Sequence, residues 1–206
     1  MTADVGEIAG EIIARAGENK RVLVAIAGPP GAGKSTIADN LAEALQAMGE
    51  TAAVLPMDGF HMDDGILRER HLLPRKGAPE TFDVRGFIDI VRAIKAGDQD
   101  VLVPVFDRRR ELAIAAARIV FKEDRFVLAE GNYLLLDQAP WNGLQGLFDY
   151  AIMISPPVEV LEERLMRRWL DLGLDAEAAR KKVGGNDLPN GEMVRKASRR
   201  ADRILA

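Results

Sequence analysis

The sequence predicts an α/β fold in which a mainly parallel β-sheet lies between two layers of helices. Apolar runs alternate with segments of helical periodicity along most of the chain, which is typical of right-handed βαβ units. The runs within 21–28 and 149–155 are almost continuously apolar, as expected of strands that are buried on both faces of a parallel sheet. The chain has 206 residues, enough for one domain with a sizeable core, and we predict a single domain over 1–206.

Helical and extended patterns alternate in the first half of the chain. Val5, Ile8 and Ile12 recur at helical spacing, so the N-terminal segment is predicted to be an amphipathic helix that ends at Gly17. The segment 34–48 carries an apolar stripe and stops before a glycine, as a helix should. The further predictions for this half are a strand at 21–28, a strand at 51–58 and a helix at 87–96.

The second half of the chain continues this alternation after a less regular start. The run 100–107 has the pattern of a short strand, and Pro104 within it places the strand near an edge, because proline removes a donor from the ladder. The segment 158–172 has a strong helical pattern. The remaining predictions are strands at 125–131 and 149–155, a short helix at 176–183, a loop rich in glycine and asparagine at 184–191, and a final strand at 201–206.

Three acidic residues follow predicted strands directly. Asp58, Asp107 and Glu130 each stand just after an apolar run. The carboxyl ends of parallel strands meet at one edge of the sheet, where the ligands of such folds bind. We therefore expect these three carboxylates to converge on a single rim.

A phosphate-binding motif follows the first predicted strand. Residues 28–35, G-P-P-G-A-G-K-S, fit the pattern G-x-x-x-x-G-K-[ST] without a mismatch, with a buried strand before them and a helix after them. The glycines let the backbone point successive N–H groups at phosphate oxygens, and the helix adds its positive N-terminal end. The residues predicted to bind the nucleotide here are Gly28, Pro29, Pro30, Gly31, Ala32, Gly33, Lys34, Ser35 and Thr36.

The motif narrows the fold to that of the P-loop NTPases, a three-layer α/β/α sandwich, and predicts that a nucleoside triphosphate and Mg²⁺ are bound. Lys34 is expected to reach the β- and γ-phosphates, and the hydroxyl of Ser35 to bind Mg²⁺, a hard cation that prefers oxygen ligands. Glu130 ends an apolar strand, where an acid of such proteins binds Mg²⁺ or its water shell. The guanine-binding pattern N-K-x-D is absent from the sequence, so the expected nucleotide is ATP.

Asp58 follows the strand that is predicted to neighbour this P-loop. Phosphoryl transfer needs an attacking hydroxyl held in line and a group that accepts its proton, and a carboxylate at this place can do both. The pair Asp58-Gly59 is equally typical of a turn. The residue types alone leave these two interpretations open.

The composition limits the partners and the chemistry of the protein. The formal net charge is −4, so no general binding to nucleic acid or to an anionic membrane is expected. The chain has no cysteine, which excludes disulfides, thiolate metal sites and thiol nucleophiles. The acidic start M-T-A-D-V-G-E lacks the positive region of a signal peptide, and no apolar run is long enough to span a bilayer. We therefore expect a cytoplasmic protein.

Four ordered motifs resemble those of the phosphoribulokinase/uridine kinase family. They are M-D-G-F-H at 57–61, R-K-G-A-P-E-T-F-D at 75–83, V-P-V-F-D-R at 103–108 and E-G-N-Y at 130–133. The resemblance extends from the P-loop to about Arg168 and is closer to bacterial members known as fructose transport system kinases. It implies an ATP-dependent kinase that phosphorylates a hydroxyl of a small molecule, with a small helical lid at about 160–185.

The resemblance also implies roles for individual residues. Asp58 matches the position of the catalytic base, and Glu130 matches the acid near Mg²⁺. Lys34 and an arginine of the lid, here taken as Arg168, are expected to stabilise charge on the transferred group. The other residues expected at the nucleotide or the acceptor are Arg164 in the lid segment, and His61, Arg75, Lys76 and Asp107 near the acceptor.

Some of these residues have equally good structural interpretations. Each arginine of the predicted lid helix, Arg164, Arg167 or Arg168, can instead lie on a solvated face and pair with an acid such as Glu163. His61 follows Asp58 by three residues, a position that suits acceptor contact and a structural role equally. The basic run 108–110 either binds an anionic group of the substrate or is simply exposed.

The predicted function is transfer of the γ-phosphate of ATP to a hydroxyl of a small molecule, with a sugar such as fructose as the first candidate acceptor. Phe106 replaces the tyrosine usual in uridine kinases, and the chain is shorter than pantothenate kinases; kinases of the nucleoside (uridine-like) and pantothenate types remain alternatives. An alternative of another class is a nucleotide-dependent switch or accessory ATPase. The expected partners are the nucleotide and the acceptor, and the chain is expected to act as a monomer or homodimer.

Overall fold

The computed structural model describes residues 4–206, so the first three residues of the predicted domain lie outside the described part. The strands of this part are β1 Val22–Ala27, β2 Ala52–Pro56, β3 Val101–Asp107, β4 Leu112–Val120, β5 Phe126–Gly131, β6 Tyr150–Ile154 and β7 Arg203–Leu205. Five of them form a parallel sheet in the order β2-β5-β1-β6-β7. The strands β3 and β4 pair antiparallel in a separate hairpin.

Helices cover both faces of the parallel sheet, which confirms the predicted α/β/α sandwich. They are α1 Val5–Ala16, α2 Lys34–Ala47, α3 Asp64–Glu69, α4 Val84–Ala96, α5 Val158–Asp171, α6 Ala176–Lys182 and α7 Leu188–Ala197. Their caps follow local rules, since Asp4 and Asp83 accept backbone N–H groups at the starts of α1 and α4. Across residues 4–206, none of the helices has the length and apolar character needed to cross a membrane.

The central strand β1 explains why its sequence is continuously apolar. Leu23 and Ala25 belong to a core that also contains Phe87 of α4, whereas Val24 and Ile26 belong to a second core against α1 and α2. Successive side chains of a strand point to opposite faces, and both faces of β1 are covered. Polar groups are therefore excluded along the strand, and a ligand meets the sheet only where its strands end.

The strand that contains Pro104 was predicted near an edge of the main sheet, and this placement is wrong. It is β3 of the hairpin, and its pairing with β4 shifts in register between Val103 and Val105. Such an irregularity tolerates a proline, because the ladder of hydrogen bonds is already interrupted there. The strand β4 was not predicted, since its side chains are exposed up to Val120 and it lacks an alternating apolar pattern.

The segment predicted as a loop at 184–191 is helical, so that prediction is also wrong. A π-helical turn spans Val183–Asp187 and continues directly into α7. Pro189 lies in the first turn of α7, directly after the π-helical turn. The side chains of Asn186 and Asn190 are buried, so packing against the rest of the domain stabilises a helix that local composition disfavours.

The hairpin lies against the turn that follows β2. This turn, Met57–Phe60, carries Asp58. A Cβ atom at Gly59 would lie 2.3 Å from the carbonyl oxygen of Pro104 in β3, so only glycine allows the two backbones to approach this closely. The hairpin is thereby held next to Asp58.

Candidate active site

A cleft of about 290 Å³ lies at the carboxyl ends of β1, β2 and β5. Its walls come from the loop before α2, the turn that contains Asp58, the β3–β4 hairpin and the helices α5 and α6. This is the edge of a parallel sheet at which ligands bind. The predicted site residues outside the glycines and prolines of the loop that line this cleft are Lys34, Ser35, Thr36, Asp58, His61, Lys76, Glu130 and Arg168.

The loop between β1 and α2 adopts a conformation that suits phosphate. Gly31 and Gly33 have φ values of 79° and 92°, in the left-handed region that glycine adopts without strain. The helix α2 begins directly after Gly33, and no side chain of the described residues caps its first turn. Its N-terminal amides are left for the anionic oxygens of a ligand, which the helix dipole also favours.

Lys34 is buried at the floor of the cleft. Its Nζ donates a hydrogen bond of 3.0 Å to the carbonyl oxygen of Pro29, which turns the side chain back over the loop. Burial lowers the pKa of Lys34 to about 8, while the carboxylates of Glu130 and Asp58 act in the opposite direction. A phosphate group in the cleft adds negative charge beside this amine and favours its charged form.

Asp58 faces the cleft from the turn after β2. Its Oδ2 accepts a hydrogen bond of 2.7 Å from Nη2 of Arg108 in the hairpin. Burial opposes ionisation of this carboxyl, but the neighbouring cationic side chains, Arg108 foremost, outweigh it and hold the pKa of Asp58 below its ordinary value. The carboxylate is therefore ionised at neutral pH and is an acceptor for a donated hydrogen bond.

Glu130 and Ser35 place oxygen donors side by side at the end of β5. Glu130 is 6% exposed, and burial together with the charge of Asp58 raises its pKa, whereas Lys34 and a hydrogen bond from Ser35 lower it. A hydroxyl and a carboxylate are ligands that Mg²⁺ accepts. Within residues 4–206, no group of three His, Cys, Asp or Glu side chains is placed to hold a metal ion. A cation at this pair therefore needs further oxygens from water or a bound phosphate.

His61 lies between two aromatic rings at the wall of the cleft. Its ring centroid is 4.1 Å from that of Phe82 and 4.6 Å from that of Phe106. The Nδ1–H group donates to the carbonyl oxygen of Asp58 at 2.8 Å. Burial lowers the pKa of His61, although the negative charge of Asp58 opposes this shift. The imidazole is therefore held in one orientation and is mainly neutral at neutral pH.

Lys76 and Arg75 are neighbours in sequence, but only Lys76 lines the cleft. The Nζ of Lys76 lies 2.8 Å from Oδ1 of Asp64 and 3.3 Å from Oε2 of Glu111, which connects its loop to the tip of the hairpin. Arg75 points away from the cleft and donates to the side-chain oxygens of Asn186 at 3.1 Å and Asn190 at 3.5 Å. Arg75 thus ties its loop to α7 and the preceding π-helical turn instead of contacting the cleft.

The three arginines of α5 have different environments. Arg168 lines the cleft, and its guanidinium group lies 5.6 Å from the ring centre of Trp169. Arg164 lies outside the cleft, where its Nη1 is 3.4 Å from the carbonyl oxygens of Gly31 and Ala32. Arg167 is on the surface and pairs with Glu163 at 2.8 Å, four residues earlier in the helix. Only Arg168 of the three is placed to meet a ligand in the cleft.

Asp107 does not reach the common rim that was predicted for it. It ends a strand of the hairpin, and its Oδ1 accepts the backbone N–H groups of Arg109 and Arg110. These backbone hydrogen bonds lower the pKa of Asp107. The carboxylate therefore closes the hairpin turn and is not among the groups that line the cleft. Asp107 and Pro104 both lie away from the parallel sheet because β3 belongs to the separate hairpin.

Nine residues of the cleft wall were not among the predicted site residues, and three of these, Trp169, Lys182 and Asp187, form one connected group. Trp169 donates its Nε1–H to Oδ2 of Asp187 at 2.6 Å, and the Nζ of Lys182 lies 5.5 Å from the ring centre of Trp169. All three line the cleft on the side of α5 and α6. The basic end of the short helix that contains Lys182 was a possible signal, but helical periodicity does not say which face meets the cleft.

A second cavity, of about 540 Å³, adjoins the cleft behind Pro30. It lies between the start of α5 and the helix α7, and it shares Pro30 and Asp187 with the cleft. Apolar side chains such as Leu161 and Leu188 form much of its wall. Its position beyond the outer side of the P-loop makes it a suitable place for a flat aromatic group attached to phosphates.

Comparison with known proteins identifies the family. A relative in Schizosaccharomyces pombe, named "Putative uridine kinase C227.14", is 33% identical over 90% of this chain and 83% of its own length. The chain belongs to the phosphoribulokinase/uridine kinase family of P-loop kinases. A further relative, "Uncharacterized protein YggC" of Escherichia coli K12, is 37% identical over 90% of this chain and 78% of its own length.

One solved structure resembles the present chain over its full length. It comes from Silicibacter sp. TM1040, is named "putative fructose transport system kinase", and matches 100% of both chains with a TM-score of 0.94 and 44% identity. The resemblance deduced from the four motifs is therefore confirmed. This P-loop kinase is an ATP-dependent enzyme that acts on a small molecule.

One family model points to another branch of P-loop proteins. The model for the methylmalonyl Co-A mutase-associated GTPase MeaB matches residues 2–80. This range is less than half of the chain and contains the P-loop, which kinases and GTPases have in common. The relatives that span most of the chain decide the family instead.

Proposed function

We propose that the cleft transfers the γ-phosphate of ATP to a hydroxyl group of a small molecule, with a sugar such as fructose as the first acceptor to test. One observation carries the proposal: the P-loop lysine, Lys34, and an ionised carboxylate, Asp58, face the same cavity. A P-loop alone binds a triphosphate. A carboxylate beside it adds what an attacking hydroxyl needs, namely an acceptor for its proton.

The nucleotide occupies the P-loop and the adjoining cavity in this proposal. Its phosphate oxygens accept hydrogen bonds from the amides at the start of α2, while Lys34 turns from Pro29 to the β- and γ-phosphates. The adenine lies in the apolar cavity next to Pro30, between Leu161 and Leu188. Arg168 approaches the phosphates from α5 and offsets the charge that spreads during transfer.

Ser35 and Glu130 are the residues that would hold Mg²⁺. Their paired oxygens suit a hard cation, and Glu130 is close enough to the P-loop for the charge of Lys34 to act on it. Bound there, Mg²⁺ supplies positive charge that stabilises the terminal phosphates. Burial of Glu130 raises its pKa, so the site favours a positive ion that keeps this carboxylate ionised.

The acceptor lies between the turn of Asp58, the loop of Lys76 and the hairpin. Asp58 orients the acceptor hydroxyl and takes its proton while the oxygen bonds to the γ-phosphorus and the bond from that phosphorus to ADP breaks. His61 and Lys76 line this half of the cleft and offer hydrogen-bonding groups to the remaining polar atoms of the acceptor. Closure of the 160–185 region over the bound ligands would exclude water as a competing acceptor.

Fructose comes first among the acceptors because of the Silicibacter protein, whose name carries that sugar and whose structure matches the full chain. The yeast relative, named as a uridine kinase, makes a nucleoside the next acceptor. Pantothenate is the third candidate acceptor. These acceptors differ in shape and charge but share the reacting hydroxyl, so the roles of Asp58 and Lys34 are the same for each.

A nucleotide-dependent switch or accessory ATPase is the second candidate function. The match of the MeaB model to residues 2–80 favours it. A switch hydrolyses its nucleotide without a small-molecule acceptor, whereas a kinase consumes ATP in proportion to the acceptor supplied. The two candidates therefore differ in a quantity that is simple to measure.

The experiment that tests the proposal is a screen of ADP release over fructose, other sugars, uridine, pantothenate and glycerate, each with mass detection of the product. We expect one acceptor to raise the rate of ADP release by at least about tenfold over the rate without acceptor and to gain one phosphate group. ATP hydrolysis of equal rate with and without every acceptor, and no phosphorylated product, would instead support the switch.

Two neighbouring arginines of α5 give a matched test of the nucleotide end of the cleft. Arg168→Ala is expected to lower kcat by about 10²-fold, because the guanidinium group stabilises charge in the transition state. Arg167→Ala removes the same group one residue away, on the surface, and is expected to change kcat by less than about twofold. Steady-state kinetics with saturating ATP check this pair. Equal losses in the two variants would exclude a special role for Arg168.

A further inference from the structure

Arg108 is a cleft residue whose role the sequence left open and which the proposed function does not use. It follows β3 directly at the turn of the hairpin, and its side chain is 46% exposed. Its Nη2 lies 2.7 Å from Oδ2 of Asp58, the carboxylate proposed as catalytic base. The two following arginines do not line the cleft, and Arg110 approaches only Asp107 at 3.8 Å.

The ion pair between Arg108 and Asp58 opposes the role of proton acceptor proposed for Asp58. The guanidinium group occupies Oδ2, one of the two oxygens that can accept the hydrogen bond of an acceptor hydroxyl. It also stabilises the ionised carboxylate, and a base held in this way is a weaker proton acceptor. The observed pairing therefore suits the free enzyme, and Asp58 becomes a stronger base when Arg108 changes partner.

The surroundings of Arg108 indicate where its new partner lies. The residue borders both the main cleft and a small cavity beside it, and the residues common to the two are Ser35, Asp58, Phe106, Arg108 and Glu130. Ser35 and Glu130 mark the end of the cleft that receives the terminal phosphate and its cation. Arg108 thus stands between the base and the phosphoryl group, and not in the part of the cleft near Lys182.

The charge of Arg108 affects the pKa values of Arg168 and Glu130, which agrees with a position of Arg108 near the phosphate end of the cleft. Burial lowers the pKa of Arg168, and the next effect in size is the positive charge of Arg108. Burial also raises the pKa of Glu130, and Arg108 is among the charges that lower it. Two cationic side chains from different elements, one from α5 and one from the hairpin, therefore act on the same small volume, which suits a group of high negative charge.

We propose that Arg108 is a second phosphate-binding arginine, which pairs with Asp58 in the free enzyme and moves to the γ-phosphoryl group when ATP binds. The inference rests on the proposed kinase function. The γ-phosphoryl oxygens carry more negative charge than a single carboxylate and accept two parallel hydrogen bonds from a guanidinium group. This exchange of partners frees Asp58 only when ATP is bound. The carboxylate therefore becomes available as a base only when a phosphoryl group can be transferred.

Transfer then follows with both groups in their new roles. The acceptor hydroxyl gives its proton to the freed carboxylate of Asp58, its oxygen bonds to the γ-phosphorus, and the bond from that phosphorus to the β,γ-bridging oxygen breaks with its electron pair left on ADP. Arg108 follows the transferred group and stabilises its oxygens. After the product leaves, Asp58 releases the proton to water, and the guanidinium group of Arg108 returns to the ionised carboxylate.

The first test measures nucleotide binding and needs no acceptor. Mg²⁺-bound β,γ-imido-ATP and ADP are titrated into the wild type, Arg108→Ala and Arg109→Ala, whose altered side chain is the next one in the chain and does not line the cleft. We expect Arg108→Ala to weaken binding of the imido triphosphate by about tenfold and of ADP by less than about twofold. We expect Arg109→Ala to match the wild type with both nucleotides.

The second test measures transfer with the acceptor identified by the screen. We expect kcat of Arg108→Ala to fall by about 10²-fold, with Arg108→Lys intermediate, since lysine keeps the charge but loses the paired hydrogen bonds. Equal triphosphate affinity in Arg108→Ala and Arg109→Ala, while transfer continues, would overturn the inference and leave the proposed kinase function standing. A rise in acceptor KM alone would overturn it too and assign Arg108 to the acceptor. Absence of transfer in the wild type would count against the kinase function itself.

Discussion

Asp58→Asn is expected to lower kcat by about 10³- to 10⁴-fold, because the amide keeps the size of the side chain but cannot accept the proton of the hydroxyl. The affinity for MgATP is expected to stay within about threefold of the wild type, since Asp58 lies across the cleft from the P-loop amides. The substitution also releases Arg108 from its ion pair. Nucleotide binding is therefore expected to be unchanged or slightly tighter, and not weaker.

A matched control for this variant is Asp89→Asn in α4, where the carboxylate is 55% exposed and pairs with surface arginines. We expect it to leave kcat and nucleotide affinity unchanged, because exposed ion pairs contribute little. Rapid quenching of single turnovers with excess enzyme separates the chemical step from product release. Single-turnover rates of Asp58→Asn within about tenfold of the wild type would contradict a role as base.

Lys34→Met is expected to weaken MgATP binding by at least about tenfold and to lower kcat by about 10³-fold. Methionine preserves most of the buried apolar stem and removes only the ammonium group that is proposed to contact the phosphates. Burial lowers the pKa of Lys34 to about 8, so the free protein bears a cost for this charge. The melting temperature of Lys34→Met is therefore expected to equal or exceed that of the wild type.

Stability and function should thus change in opposite directions at Lys34, which distinguishes a phosphate-binding lysine from a structural one. The control is Lys122→Met, which removes an amine that is 56% exposed and lies 3.8 Å from Glu123. We expect this control to alter neither nucleotide affinity nor turnover. Calorimetric titration with MgATP and thermal unfolding of the same samples provide both readings. Wild-type affinity in Lys34→Met would contradict the assignment.

Much of the central fold follows from local signals in the sequence. The strand before the P-loop and the helix after it were predicted because β1 is apolar on both faces and α2 starts at a fixed point of the G-K-S motif. The helix at 158–172 was predicted from its apolar stripe and observed as Val158–Asp171. These elements depend on patterns within one segment, and such patterns are what a sequence displays most directly.

The hairpin and the segment after α6 depend instead on contacts between distant segments. The exposed strand β4 is extended because it pairs with β3, and its own residues carry no strand pattern. The π-helical turn and α7 form despite three glycines and a proline, because buried Asn186 and Asn190 bond to each other and to Arg75. Tertiary context overrides local propensity in both cases.

In the candidate site, too, some residues are placed by local sequence patterns and others by contacts between distant segments. Residues fixed by the P-loop and by strand ends, namely Lys34, Ser35, Asp58 and Glu130, lie together in the cleft as their positions in the motifs implied. Asp107 and Arg75 lie outside it, because the sequence does not reveal that one closes a hairpin turn and the other faces α7. The orientation of α5 alone separates Arg168 from Arg164 and Arg167, and neighbouring helical positions look alike in a sequence.

The most direct measurement follows the γ-phosphate itself. ATP labelled at the γ-phosphorus is incubated with the protein and the acceptor found in the screen, and the label is divided between organic product and inorganic phosphate. We expect nearly all of the label consumed to appear on the acceptor in the wild type and this transfer to be lost in Asp58→Asn. Label that appears as inorganic phosphate at a rate independent of the acceptor would contradict the proposed function.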